Sequence, residues 1–150
     1  MANQKEWDKR FFGVADQVAS WSSCLRRKVG AVIVKDKRIL TTGYNGAPAG
    51  VTTCMERGVC IRQENNIPSG KNQEFCYAAH AEQNAIAQAA LLGVSVKGAT
   101  LYCTHQPCTI CTRIIINAGI DRVVFENGYP DEFALQFFNE SGVKIEKFEE

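Results

Sequence analysis

The stretch Thr100-Leu101-Tyr102-Cys103-Thr104-His105-Gln106-Pro107-Cys108-Thr109-Ile110-Cys111-Thr112-Arg113-Ile114-Ile115-Ile116-Asn117-Ala118-Gly119-Ile120-Asp121-Arg122-Val123-Val124-Phe125 decides the fold. Residues 100–104 and 122–125 are short apolar runs with the composition of strands. Between them Pro107 opens and Gly119 closes a segment, the asymmetry of a helix with proline at its start and glycine past its end. The spacing predicts a helix over 107–118 that buries Ile110, Ile114 and Ile115. Alternation along 100–104 places Leu101 and Cys103 on one face. Strand, helix and strand in that order imply a right-handed crossover between parallel strands.

Downstream, a helix over 131–141 and a strand over 143–148 continue the alternation. Upstream, residues 81–92 are rich in Ala, Gln and Leu and stop at Gly93, a strong helix with its C-terminal glycine. Residues 29–34 and 38–44 read as strands joined through Asp36-Lys37. Residues 7–22 repeat Phe11, Val14, Val18 and Trp21 at helical intervals, so a first helix precedes them. The order αββαβαβαβ predicts an α/β fold with helices on both faces of one sheet. Residues 45–77 carry Gly46, Pro48, Gly50, Gly58, Pro68 and Gly70 and no hydrophobic period. Unstructured connections beyond about 12–15 residues are uncommon unless functional, so something is expected to pin this loop.

The chain has 150 residues, 45% hydrophobic and 22% charged, which suits one domain over 1–150 and excludes a disordered or collagenous chain. No run approaches the roughly 20 apolar residues of a membrane span, and residues 1–10 are too polar for a signal peptide. A cytoplasmic protein without a membrane partner is expected. A net charge of +1 lacks the basic excess of a protein that holds a long phosphate backbone, which argues against nucleic acid. Seven cysteines, at 24, 54, 60, 76, 103, 108 and 111, are not kept as disulfides in a reducing cytosol and point to metal.

His80-Ala81-Glu82 begins one predicted helix, and Pro107-Cys108-Thr109-Ile110-Cys111 begins another. Cysteines at i and i+3 share a face, and a helix N-terminus favours their thiolate forms. His80, Cys108 and Cys111 are therefore candidate ligands of a catalytic Zn²⁺ with its fourth position open to water. Glu82 stands two residues past His80, placed to carry a proton between water and a substrate nitrogen. The chemistry this predicts is hydrolytic deamination. The H-x-E pattern with P-C-x-x-C is a known signature of zinc nucleobase deaminases.

The chain resembles the cytidine deaminase-like superfamily, and its deoxycytidylate deaminase branch, over nearly its whole length. The residues that carry the resemblance are Val29-Gly30-Ala31-Val32-Ile33, Gly43-Tyr44-Asn45-Gly46-Ala47-Pro48, His80-Ala81-Glu82-Gln83-Asn84-Ala85-Ile86, Gly98-Ala99-Thr100-Leu101-Tyr102, Pro107-Cys108-Thr109-Ile110-Cys111 and Ile116-Asn117-Ala118-Gly119-Ile120. The resemblance implies a three-layer α/β/α sandwich around a five-stranded mixed sheet. It implies conversion of dCMP to dUMP with release of ammonia, which supplies dUMP for thymidylate synthesis. It also implies that Asn45 contacts the sugar, that the Ala81 backbone reads the pyrimidine, and that the chain forms a homo-oligomer, often a hexamer, with dCTP and dTTP as effectors at residues 43–50. Where many relatives carry a charged residue after the His-Ala-Glu helix, this chain has Leu91-Leu92. The phosphate partner is then sought in Arg26-Arg27-Lys28, the densest basic cluster, with Arg26 as the choice and a solvated charge run as the alternative.

Cys103 reads as a core thiol. Cys24, Cys54, Cys60 and Cys76 lie in or beside the long loop and are candidate ligands of a second, structural Zn²⁺, a site some deoxycytidylate deaminases carry and one that would pin the loop at 45–77. His105, the other histidine, either lines the pocket or is a structural residue. The competing readings are a deaminase of another nucleoside, nucleotide or base, such as cytidine, guanine or a tRNA adenosine, and a non-catalytic zinc module, in which Glu82 would have no use.

Overall fold

Asp36 and Lys37, both at positive φ (51° and 62°), form the two-residue turn that joins β1 (Gly30–Lys35) to β2 (Arg38–Tyr44). The computed structural model describes residues 1–150 and adds β3 (Thr100–His105), β4 (Arg122–Asn127) and β5 (Lys144–Lys147). The helices are α1 (Gln4–Ala19), the short α2 (Cys54–Arg57) and α3 (Ile61–Glu64), then α4 (Ala81–Leu92), α5 (Thr109–Asn117) and α6 (Glu132–Ser141). The strands form one sheet of order β2-β1-β3-β4-β5. β1 is antiparallel to both of its neighbours, whereas β3, β4 and β5 run parallel through the two crossovers. This is the five-stranded mixed sheet expected.

The period-2 alternation of the strands divides the core between two faces. On one face Phe11, Phe12 and Ala15 of α1 pack on Val32, Val34, Tyr102 and Val124. On the other, α4, α5 and α6 pack Ala85, Ile115 and Phe138 on Ile33, Leu101, Cys103 and Val123. Three layers result, and full burial of each large side chain contributes about 1.5–3 kcal/mol. Two glycines let the helices lie directly on the sheet. A Cβ on Gly30 would collide with the carbonyl oxygen of Ala15, and one on Gly43 with that of Ala81. The second contact matters most for function, because it seats the first residue of α4 on β2.

Tyr102 donates a hydrogen bond of 2.6 Å to buried Asp8, and Arg122 bridges Asp8 at 2.9 Å and Glu146 at 2.7 Å. Burial pushes the Asp8 carboxyl up, but the bonds from Arg122, Tyr102 and Gln4 outweigh it and hold it below its ordinary range. This network ties α1 to β3, β4 and β5.

Four expectations about local structure are corrected. Trp21 is not on the buried face of the first helix: it is 56% exposed and meets Tyr44 edge-on. The capping box of Asn3 and Glu6 starts α1 earlier than the apolar pattern does, and the helix ends at Ala19. Of the three isoleucines expected to be buried in α5 only Ile115 is, while Ile110 and Ile114 are 47% and 37% exposed. Cys111 must face inward, and residues one turn apart share a face, so the inner stripe is Cys111, Thr112 and Ile115. Pro107 also precedes the helix, because Cys108 is its N-cap.

The loop over 45–77 contains more order than its composition predicted. Thr53 and Glu56 form a capping box for α2, which ends at Gly58 with φ of 78°. Four-residue helices are too short to show a hydrophobic period. The loop is closed by paired backbone bonds between Gly46 and Ala79, by Met55 N–H donating to the Ser23 carbonyl at 3.2 Å, and by Arg57 stacked 4.3 Å over the Tyr77 ring. No helix is long and apolar enough to cross a membrane.

Candidate metal centre and active site

His80 is the residue before α4 and Cys108 the N-cap of α5, so two helix starts face each other across the C-terminal end of β3. The His80 backbone N–H donates to the Gln83 side chain at 2.8 Å, which fixes the approach to α4. Cys108 Sγ accepts from the Cys111 N–H at 3.4 Å, and the Thr112 hydroxyl donates to the Cys108 carbonyl at 2.8 Å. The capping geometry therefore presets the ligand geometry. His80 Nδ1 lies 3.4 Å from Cys108 Sγ and 3.2 Å from Cys111 Sγ.

These three form the only group of three or more His, Cys, Asp or Glu side chains whose donor atoms lie within 4.8 Å of one another. Donors 2.0–2.3 Å from a tetrahedral zinc are about 3.5 Å apart, so one imidazole nitrogen and two thiols at these separations fit that ion. The Cys108 thiol is pushed well down by the Cys111 thiol and by His80, while the Cys111 proton is held correspondingly more tightly. The Cys108 thiol in turn raises His80.

Glu82 is 4% exposed, and burial raises its carboxyl above the ordinary value. Behind it stands Cys103, fully buried with its thiol pushed up by desolvation and by Glu82, which agrees with a core thiol. Glu82, His80 and Cys108 open into a cavity of about 780 Å³, and Cys111 is fully buried beside them. Ala81 and Asn45 also line it. As the first residue of α4, Ala81 has an N–H that the helix itself does not use. Asn45 has a second duty: its Oδ1 accepts from Val29 N–H at 2.9 Å and its Nδ2 donates to the Arg27 carbonyl at 2.8 Å. It thereby fixes the segment that carries Arg26 and Arg27, both of which line the cavity. His105 lines it as well, 3.0 Å from the Thr104 hydroxyl, with burial and Arg27 both lowering its imidazole below the ordinary value.

The far wall is made by the long loop. Cys24, Cys54, Cys60 and Cys76 all face this cavity. Burial raises the Cys54 thiol, and the other three add to the effect. The four are neighbours, although their sulfurs are not drawn together as tightly as the first set. Sequence reasoning missed Arg62 of α3, a buried residue of the same wall. Lone arginines in loops are usually solvated, and the one available signal was its place two residues after Cys60.

The sequence profile described as the cytidine and deoxycytidylate deaminase zinc-binding region matches residues 5–127. The deoxycytidylate deaminase of Saccharomyces cerevisiae is 38% identical over 143 residues, which cover 95% of this chain and 45% of the yeast protein. That of Mycobacterium phage D29 is 41% identical over 128 residues, 82% of this chain and 96% of the phage protein. This chain thus spans less than half of the yeast relative and matches nearly all of the phage one. Among solved structures, the dCMP deaminase of cyanophage S-TIM5 in complex with dCMP and dUMP superposes with a TM-score of 0.79 at 32% identity, over 97% of this chain and 99% of that one.

Proposed function

The chain belongs to the cytidine and deoxycytidylate deaminase family, and on that premise we propose that residues 1–150, as one domain, convert dCMP and water to dUMP and ammonia. The observation that carries this reading is the clustering of His80, Cys108 and Cys111 at a cavity that His80, Cys108, buried Glu82 and arginines line. His80 Nδ1 and the two cysteine sulfurs would hold zinc, which when bound supplies Lewis-acid chemistry that makes water nucleophilic near neutral pH.

Glu82 moves the protons. Its carboxylate takes one from the attacking water and gives it to N3 of the cytosine ring as C4 is attacked, and it then takes the second from the hydroxyl now on C4 and delivers it to the amine, which leaves as ammonia. The enclosure that buries Glu82 keeps bulk water from competing for that proton. The Ala81 N–H is offered to the pyrimidine and Asn45 to the sugar. Arg26, beside Cys60 and with its Nη1 buried and unpartnered, is offered to the phosphate.

The reading extends to a second zinc held by Cys24, Cys54, Cys60 and Cys76. It is supported by their common cavity wall and by the part that Cys76, Cys24 and Cys60 take in raising the Cys54 thiol. With all seven cysteines unpaired, a reducing cytoplasm is the compartment that suits the chain. An assay of ammonia release from dCMP, CMP, dCTP and deoxycytidine, with and without dCTP and dTTP as effectors, tests the function. Preference for dCMP is expected. Preference for deoxycytidine would overturn the nucleotide assignment, and no turnover of any cytosine substrate would overturn the deaminase itself.

A further inference from the structure

Arg62 has no structural reason to be where it is. It sits in the four-residue helix α3 and is 8% exposed. Its Nε is buried without a hydrogen-bond partner, and none of the ion pairs of the structure includes it. A guanidinium stays protonated at any working pH, so burial leaves a full charge uncompensated. Leaving a buried charge unpaired is strongly unfavourable, and an arginine that was only packing would find a carboxylate or carbonyls.

The surroundings say what completes it. Arg62 lines the same cavity as His80, Cys108 and Glu82 and acts electrostatically on His80. Arg26, whose Nη1 is likewise buried and unpartnered, lines that cavity too, and so does Arg27. Two carboxylates line the cavity, and both are committed elsewhere. Asp131 caps α6, accepting from Ala134 N–H at 2.7 Å and from the Thr109 hydroxyl at 2.9 Å, and Glu82 faces the metal-ligand trio. The arginines therefore face a space with a net positive field and unfilled donors. A planar guanidinium with parallel N–H groups matches a phosphate monoester in two-bonded geometry.

Resting on the dCMP reading above, we propose that Arg62 is a specificity-determining residue: with Arg26 it grips the 5′-phosphate of the nucleotide, and it makes the inserted loop the element that separates nucleotides from nucleosides. The loop then has a role in recognition, because α3 sets Arg62 into the cavity wall just past Cys60, the same cysteine that Arg26 meets from the segment before β1.

The test compares binding of dUMP and deoxyuridine to the zinc-loaded protein by calorimetry. The unaltered protein is expected to prefer dUMP. Arg62→Gln is expected to shrink that preference at least tenfold, and Arg62→Lys to shrink it less, since a point charge keeps attraction but loses the two-bonded fit. An undiminished preference in either folded variant overturns the role of Arg62 alone. No preference in the unaltered protein overturns the nucleotide reading as well. A crystal structure of the unaltered, zinc-loaded protein with dUMP needs no variant: a phosphate oxygen hydrogen-bonded to Arg62 is expected, and a phosphate out of its reach overturns the proposal.

Discussion

His80 Nδ1 stands 3.2 Å from Cys111 Sγ, although 31 residues separate them. The contact exists because α4 and α5 both start at the same edge of the sheet, each aiming its N-terminal end at the other's first turn. Removing the metal with a chelator is expected to abolish deamination, and Zn²⁺ to restore it. Cys111→Ser is expected to lower zinc by one per chain, read by metal analysis. Undiminished zinc in that variant would show that the trio is not the binding site.

Glu82→Ala should separate chemistry from construction. The carboxyl is buried and is not among the three clustered donors, so the variant should keep its zinc and its fold. Loss of the proton carrier is expected to lower kcat by about 10²–10⁴-fold. Single-turnover rates and zinc content measured on the same preparation check both halves, and near-normal turnover would remove Glu82 from the mechanism.

The difference between what could and could not be read from the sequence follows the range of the interactions. α4 was legible to its ends, since alanine-rich composition and Gly93 are local signals. The zinc trio was legible because each half is a fixed local spacing that opens a helix. The orientation of α5 was not: Ile110, Ile114 and Ile115 are alike in composition, and only the inward demand of Cys111 chooses among them. Arg62 was illegible for the same reason, since its burial comes from a loop folded over a cavity that no nearby residue announces.

Gly43 is expected to be the glycine whose replacement most directly disturbs the site. Its φ is ordinary, but an added Cβ would strike the Ala81 carbonyl and the Ala85 amide nitrogen. Gly43→Ala should push α4 off β2, destabilise the protein by about 1–3 kcal/mol, and weaken zinc binding by displacing His80. Gly13→Ala is the control. Nothing lies within 4 Å of its added Cβ, in mid-helix of α1, and it should stabilise by about 0.5–1 kcal/mol. Thermal melts of the two variants should move in opposite directions.

Glu126 supplies a pH dependence with a defined sign. Burial, then neighbouring Asp16 and Glu150, push its carboxyl from 4.5 up to about 7. Between those two values the folded chain keeps a proton that the unfolded chain has lost, so stability falls as pH rises through that window. Glu126→Gln should therefore match the unaltered protein below the window and exceed it above, by about 1 kcal/mol after allowance for partial exposure. Urea unfolding of both proteins at pH 4.5 and 8 measures the difference, and a gain that is equal at the two values would contradict this assignment.

Cys54 offers the sharpest view of the loop. It is 5% exposed and begins α2, and Cys76, Cys24 and Cys60 add to burial in raising its thiol. If these thiols hold a structural zinc, the protein should contain two zinc ions per chain, and Cys54→Ser should lower that to one while His80, Cys108 and Cys111 keep theirs. Loss of the loop metal should also expose residues 45–77 to protease before the sheet unfolds, since short α2 and α3 have little independent stability. One zinc per chain in the unaltered protein, unchanged by Cys54→Ser, would leave the Gly46 to Ala79 pairing and the Arg57 to Tyr77 stack as the pins that hold the loop.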